Sequence, residues 1–422
     1  MERISIAPGA QITVLPAEKF NRCRISINFI WPASREWATA EALLPLVLER
    51  GYRDCPDMTE LSKRLARLYG ASLSVDGTMS GQSRVLTVTV SGIKDKFALA
   101  GEPLSMEYAG LAFGVAFRPY LVDGVLDAEA VGIEREQLRE QLESEINEKR
   151  GYCIRQARRK FYGDSPAGIE RNGYLDEVDG LTAGNVTDAY DRMLRTARIE
   201  VSVLGADVEA ARTCLSAALE GVRREPCGLP GPIVMPVTDT RCFDEPLPTV
   251  QGKLCMLFTC GTPFAVSELS ALRVAVAALG GLPTSRLFQN VREKQSLCYY
   301  CVASYTSLTG ALCVDSGVEH EKAVLARDSI LRELDALREG GLARAELDDA
   351  KRALKNQLAA VGDTLQGLEN WYFAEWMRGT EKTPAQVADE IDAVTADDVR
   401  RVLSRFSLSV CYTLTRGADA DG

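Results

Sequence analysis

Arg292 and Tyr299 stand seven residues apart in GGLPTSRLFQNVREKQSLCYYCVASY, residues 280–305, where a helical run passes into a strand-like one. Across such a junction both side chains can project toward one place. A guanidinium and a phenol hydroxyl are both hydrogen-bond donors, suited to gripping a peptide carbonyl or the oxyanion that forms from it. The residue types alone also allow a plainer account, since arginine suits the last turn of a helix and tyrosine suits a strand.

Other chemistry has little to stand on. His320 is the only histidine in the chain. A Ser-His-Asp or Cys-His pair would need it as base, but it lies in GVEHEKAV, at the start of a helical stretch between Glu319 and Glu321. There it reads as a helix-cap residue on the surface. A catalytic zinc normally takes histidine nitrogens and a carboxylate and keeps one position for water, which one histidine does not supply. No GxSxG elbow, Walker loop or GxGxxG at a strand-to-helix turn occurs. Twelve cysteines are scattered along the chain, many inside apolar runs such as KLCMLFTC, and read as small core residues kept as thiols. Cys298 and Cys301 form a CxxC within SLCYYCVASY. In a regular strand that spacing sends the two thiols to opposite faces, so neither redox nor metal use is expected of them.

Of the 422 residues, 46% are hydrophobic and 26% charged, and 59 acidic against 49 basic side chains give a net charge of −10. That balance disfavours a nucleic-acid or anionic-membrane binder. The start, MERISIAPGAQITVLPAEKF, lacks the pattern of a secretory signal, and no apolar run reaches bilayer length. A cytoplasmic protein is expected.

The elements that must position Arg292 and Tyr299 come in two similar sets. The Pro-rich stretch 225–248 reads as a linker between residues 1–224 and 249–422. On either side, LDAEAVGIEREQLREQL (Leu126–Leu142) matches LARAELDDAKRALKNQL (Leu342–Leu358), and VDGLTAGNV (Val178–Val186) matches IDAVTADDV (Ile391–Val399). Thr182 and Thr395 are placed to N-cap the helix that follows, with Asp398 completing a capping box for the second. Each half opens with an apolar strand, Arg24–Trp31 or Lys253–Cys260, and closes with another, Ile199–Gly205 or Leu408–Leu414. The alternation along the strands predicts antiparallel sheets with helices on one face, and hence two α+β domains related by duplication.

At SRLFQNVREKQSLCYY the chain resembles the peptidase M16 family, the group of pitrilysin, insulin-degrading enzyme and mitochondrial processing peptidase. The shared signature is a Gly-rich turn, then LF, REK, and an Arg and a Tyr seven apart. The resemblance spans nearly the whole chain. It implies two homologous M16-type (LuxS/metallohydrolase-like) domains forming half of a clamshell, with Arg292 and Tyr299 on the substrate carbonyl. It also implies a zinc helix carrying HxxEH in the first half. Here that helix is AEALLPLVLERGY, and the two His and the Glu fall on Ala42, Leu46 and Pro45. None of these ligates metal, so no cofactor is expected. The third ligand's equivalent is Glu143 or Glu145 in REQLESEINEKRGY. More narrowly, ALLPLVLERGY, LARLYGASL and NEKRGYCIRQARRKFYG resemble inactive M16 members of Gram-positive bacteria associated by name with elongation factor P modification. The resemblance implies a bacterial pseudoenzyme. It would be one half of a heterodimer, with an active M16 partner carrying HxxEH and a peptide or unfolded-protein substrate. A non-proteolytic peptide-binding scaffold of the same fold, or a hydrolase centred on His320, are the alternatives.

Overall fold

The computed structural model describes residues 1–417. The chain forms two compact units, one of residues 1–143 with 169–230, the other of residues 144–168 with 231 onward.

In chain order the first unit holds β1 (Glu2–Ala7), β2 (Ala10–Leu15), β3 (Arg22–Pro32), α1 (Ala38–Glu49), α2 (Met58–Arg67), β4 (Ser72–Ser80), β5 (Ser83–Ile93) and α3 (Leu104–Phe117). A short hairpin, β6 (Leu121–Val122) and β7 (Val125–Leu126), leads into α4 (Ala128–Ser144), where the chain leaves for α5 (Lys149–Tyr162). It returns through α6 (Ala183–Thr196), β8 (Arg198–Leu204) and α7 (Val208–Leu219). The sheet order is β1-β2-β8-β3-β5-β4. Only the β2–β8 pair is parallel.

The two faces of this sheet differ in chemistry because its strands alternate. Ile25, Ile27, Phe29 and Trp31 of β3 join Val88 and Val90 of β5 in a core with Leu43, Leu44 and Leu48 of α1 and Tyr108 and Leu111 of α3. Residues between them, Ser26, Asn28, Thr89 and Glu200, are also buried but polar. They satisfy one another, as buried polar groups must. Ser26 and Thr89 share a hydroxyl contact of 3.0 Å, and Thr87 donates to the Asn28 Oδ1 at 2.8 Å. Gln11 and Thr13 both donate to the Glu200 carboxylate, which burial pushes above the ordinary carboxylate range.

The second unit takes α5, then β9 (Arg241–Leu247), β10 (Gly252–Thr259), α8 (Leu269–Val276), β11 (Cys298–Thr306), β12 (Ala311–Val318) and α9 (Ala323–Gly340). It ends with α10 (Arg344–Ala360), α11 (Leu365–Met377), α12 (Pro384–Ala393), α13 (Ala396–Leu403) and β13 (Ser407–Arg416). Its sheet runs β11-β12-β10-β13-β9, again with a single parallel pair, β13–β9. Strand for strand this is the β4-β5-β3-β8-β2 order of the first sheet, so the duplication read from helix registers is present in the topology. The matched caps form as well. Thr182 accepts from the Asn185 N–H at 3.3 Å, and Thr395 from that of Asp398 at 3.2 Å, while Asp398 accepts from the Thr395 N–H at 2.9 Å.

Two features depart from a simple division into halves. The Pro-rich stretch 225–248 contains β9, an edge strand with Pro246 inside it, a place where a missing N–H leaves no ladder bond broken. Helix α5, encoded in the first half, belongs to the second unit. Its Cys153, Ala157, Phe161 and Tyr162 pack on Cys255, Leu257, Val410, Tyr412 and Leu414, the face of the second sheet opposite the main helical layer. That is why β10 reads as an unbroken apolar run: Leu254, Met256 and Phe258 serve one core and Cys255 and Leu257 the other. An Arg150–Asp315 bidentate pair, at 2.6 and 3.2 Å, fixes the start of α5. No helix among the described residues is long and apolar enough to cross a membrane.

Candidate functional site

In the first unit the stretch matching the zinc motif is α1 itself. Ala42 and Pro45 are buried and Leu46 half-buried. Pro45 sits inside the helix, so the Glu41 carbonyl loses its N–H partner one turn on, an arrangement that ordinarily costs ~3 kcal/mol. Its ring lies against β4, where a Cβ added to Gly77 would stand 3.0 Å from the Pro45 Cγ. Ala, Pro and Leu offer no electron pair to a cation, so these residues do not fit zinc. Among the described residues no cluster of three or more His, Cys, Asp or Glu is arranged to hold a metal ion.

The candidates for a third ligand lie apart in environment. Glu143 is exposed near the end of α4 in the first unit, whereas Glu145 faces α5 in the second and pairs with Arg155 at 3.2 Å. What α1 carries instead is a buried ionic knot that residue spacing did not reveal. Glu41, 1% exposed, accepts from the Trp31 indole at 2.8 Å and from Arg192, and lies 3.9 Å from Arg84. Burial raises the Glu41 carboxyl against the pull of these cations, and burial lowers Arg84 to about 10. At its far end α1 is tied to α4 by Arg50 and the buried Glu134, 2.7 Å apart.

The second unit carries Arg292 and Tyr299. Leu287–Lys294 is a wide, π-type helix, and Ser296, in the left-handed region at φ 50°, ends it. The N–H groups of Ser296 and Leu297 return to the carbonyls of Arg292 and Val291, both at 3.1 Å, which turns the chain sharply into β11. The π-type helical stretch before it, Ala277–Gly281, must carry glycine at 280, because a Cβ there would stand 2.7 Å from the Ala303 nitrogen on β11. Arg292 ends in solvent-accessible space, its guanidinium 4.5 Å over the Phe288 ring and its Nε 3.4 Å from Glu293.

Tyr299 is turned outward by a β-bulge. Cys298 pairs with Val318 and Tyr300 with Gly317, so Tyr299 is an extra residue without a partner and is 52% exposed. Such bulges re-aim one side chain and shift the phase of those around it. The phase shift corrects the expectation for CxxC. Cys298 and Cys301 both enter the same apolar core rather than opposite faces, because one unpaired residue stands between them. Their thiols hydrogen-bond, and this contact, with help from Ser316 and the Arg292 charge, draws Cys298 down to about 7. Cys301 is pushed well above the thiol range by the same contact and by burial. The sequence carried no mark of the bulge beyond the doubled tyrosine. A disulfide-exchange label should therefore react with Cys298 with a pH midpoint near 7, while the buried thiols raised above 9 stay silent. Arg292→Met should move that midpoint upward, as followed by mass spectrometry of labelled peptides; an unchanged midpoint would show that Arg292 does not face this thiol.

His320 opens a short turn, half-buried, with its Nε2 3.0 Å from the Thr249 carbonyl. It pairs with a backbone group, and among the described residues no nucleophile is hydrogen-bonded to it.

Residues 180–354 match the family model described as peptidase M16 inactive domain. A Bacillus subtilis protein described as a probable inactive metalloprotease, YmfF, is 26% identical over 417 residues, 97% of each chain. A conserved protein of Enterococcus faecalis of known structure is 25% identical, covering 100% of this chain and 99% of that one, with a TM-score of 0.89. A peptidase M16 inactive domain from Pseudomonas fluorescens shares the fold at a TM-score of 0.79 and 15% identity, over 100% of this chain and 99% of that one.

Proposed function

Since this chain is a peptidase M16 family protein of the inactive kind, we propose that it is the non-catalytic subunit of a heterodimeric M16 zinc peptidase. In this reading it walls part of the chamber and holds substrate carbonyls, while an active partner carrying HxxEH supplies the metal. The observation that carries the reading is the outward-turned Tyr299, seven residues after the solvent-reaching Arg292 across one helix-to-strand junction. Tyr299 is exposed and Arg292 half-buried, and both are donors that solvent reaches, in a chain whose α1 holds only Ala42, Pro45 and Leu46 where the family's ligands stand. The two tasks lie in different units of the fold, so losing the metal half leaves the gripping half intact. Peptides or unfolded segments are the substrates that present main-chain carbonyls to such a pair, and a cytoplasmic location fits the free thiols.

The test is reconstitution with an M16 chain bearing an intact HxxEH from the same genome. A complex of the two chains should form and cleave an unfolded polypeptide that this chain alone leaves whole. Hydrolysis by the chain alone, or no complex with such a partner, overturns the proposal. Assembly with full activity that ignores Arg292 and Tyr299 would instead indicate a scaffold without a role in substrate binding.

A further inference from the structure

The second unit also has a half-open cavity of about 270 Å³ between α8, α10 and the end of β11. It is larger than the ~150 Å³ void that accepts a benzene-sized molecule and near the lower end of ordinary ligand pockets, ~300 Å³. Leu272 and Leu354 supply apolar wall, Tyr305 and Gln357 polar edge, and Arg273 and Arg378 the charge.

With Lys382, these two guanidiniums make three cations around two carboxylates, Glu375 and Glu390. Both guanidiniums turn to one buried carboxylate, Glu375, which is 2% exposed, contacts Arg378 and lies 3.7 Å from Arg273. Glu375 is already occupied by the Thr380 hydroxyl at 2.6 Å and the Lys382 N–H at 3.1 Å. The next carboxylate, Glu390, is taken by Ser270 at 2.7 Å and Lys382 at 2.6 Å. The Arg378 Nε is buried with no acceptor. Arg273 is lowered from the usual arginine value by burial and by the Arg378 charge. A cavity of mixed lining, with leucines on one wall and an unsatisfied cationic donor on another, calls for an anion carried on a hydrocarbon group. The strand leading to it favours one source. β11 runs from Tyr299 at one end to Tyr305 at the cavity, a span of roughly 20 Å at ~3.3 Å per residue.

We propose that this cavity takes the C-terminal residue of an extended peptide, its aliphatic side chain between Leu272 and Leu354 and its free carboxylate on Arg378 and Arg273. The choice of a peptide rests on the function proposed above. Binding is read on this chain alone, so failure to find a partner or hydrolysis leaves it unaffected.

The probe is an N-terminally labelled octapeptide ending in leucine, as free acid and as amide, followed by fluorescence anisotropy with the full chain. The free acid should bind about tenfold or more tightly than the amide, the scale of a hydrogen bond to a charged group. Arg378→Gln should erase that preference. Because Arg378→Gln also strips Glu375 of a partner, a second variant is needed. Leu354→Trp, at a half-buried position, fills the cavity, leaves both arginines, and should weaken the free acid about tenfold while melting like wild type. Equal binding of acid and amide, or Leu354→Trp binding like wild type, overturns the site. Binding of decanoate that is lost in Leu354→Trp, with no binding of either peptide, overturns the choice of occupant.

Discussion

Replacing Arg292 by alanine should lower peptide hydrolysis by the reconstituted complex by roughly 10²–10³, the effect of deleting one donor from an oxyanion site. Tyr299→Phe removes a single neutral hydroxyl and should cost less. The loss belongs in kcat more than in KM, because a donor aimed at a carbonyl oxygen gains most when that oxygen becomes charged. Arg292→Lys should recover little, since an ammonium keeps the charge but not the planar fork. These variants are clean tests because neither side chain holds the fold together. Arg292 lies over Phe288 and beside Glu293, and Tyr299 stands outside the strand ladder. Tyr299→Phe is a surface change, of the kind that stays within about 0.5 kcal/mol in stability. Arg292→Ala gives up a half-buried contact with Phe288 and one with Glu293, so assembly should match wild type and melting stay close to it. Full activity in Arg292→Ala and Tyr299→Phe together, with normal assembly, would remove both residues from substrate binding.

Much of this arrangement was legible in the sequence where the information is local. Thr182 and Thr395 announced two matched helices, and the apolar runs at Arg24–Trp31 and Lys253–Cys260 announced two matched strands, because caps and periodicity are properties of neighbouring residues. Arg292 and Tyr299 could be named from residue type and from family resemblance, but their exposure could not. It depends on a left-handed Ser296 and on one unpaired strand residue, and neither changes the composition. The same bulge defeated the alternation rule for Cys298 and Cys301. Helix α5 showed its apolar face, Cys153, Ala157 and Phe161, yet nothing local says which sheet that face will cover. The cavity wall joins Leu272 to Arg378, over a hundred residues on. The Glu41 knot is of the same kind: its partners are Trp31, Arg84 and Arg192.

That knot makes the strongest prediction for stability. Glu41→Ala should destabilise the first unit by ~3–5 kcal/mol, the cost of leaving a buried cation without its counter-ion, and lower Tm by on the order of 10 °C. Arg84 is the cation at issue: it is 2% exposed, and its other contact is the Arg171 carbonyl at 2.8 Å, which carries no charge. Burial already outweighs pairing, since it raises Glu41 and holds Arg84 at about 10. The pair is therefore a weak source of stability when whole and a large loss when broken. It follows that Glu41→Leu combined with Arg84→Met should be far less damaging than the sum of the single changes, which a double-mutant cycle in urea would read directly. The pH dependence has a defined sign. A carboxyl whose folded pKa is raised is protonated in the folded chain before the unfolded one. Its contribution to stability therefore grows as pH falls from that raised value toward 4.5, and the Glu41→Ala variant should lack that rise. Additive single changes, or a loss under about 1 kcal/mol in Glu41→Ala, would mean that α1 is held by its leucines alone and that the charges beneath it are incidental.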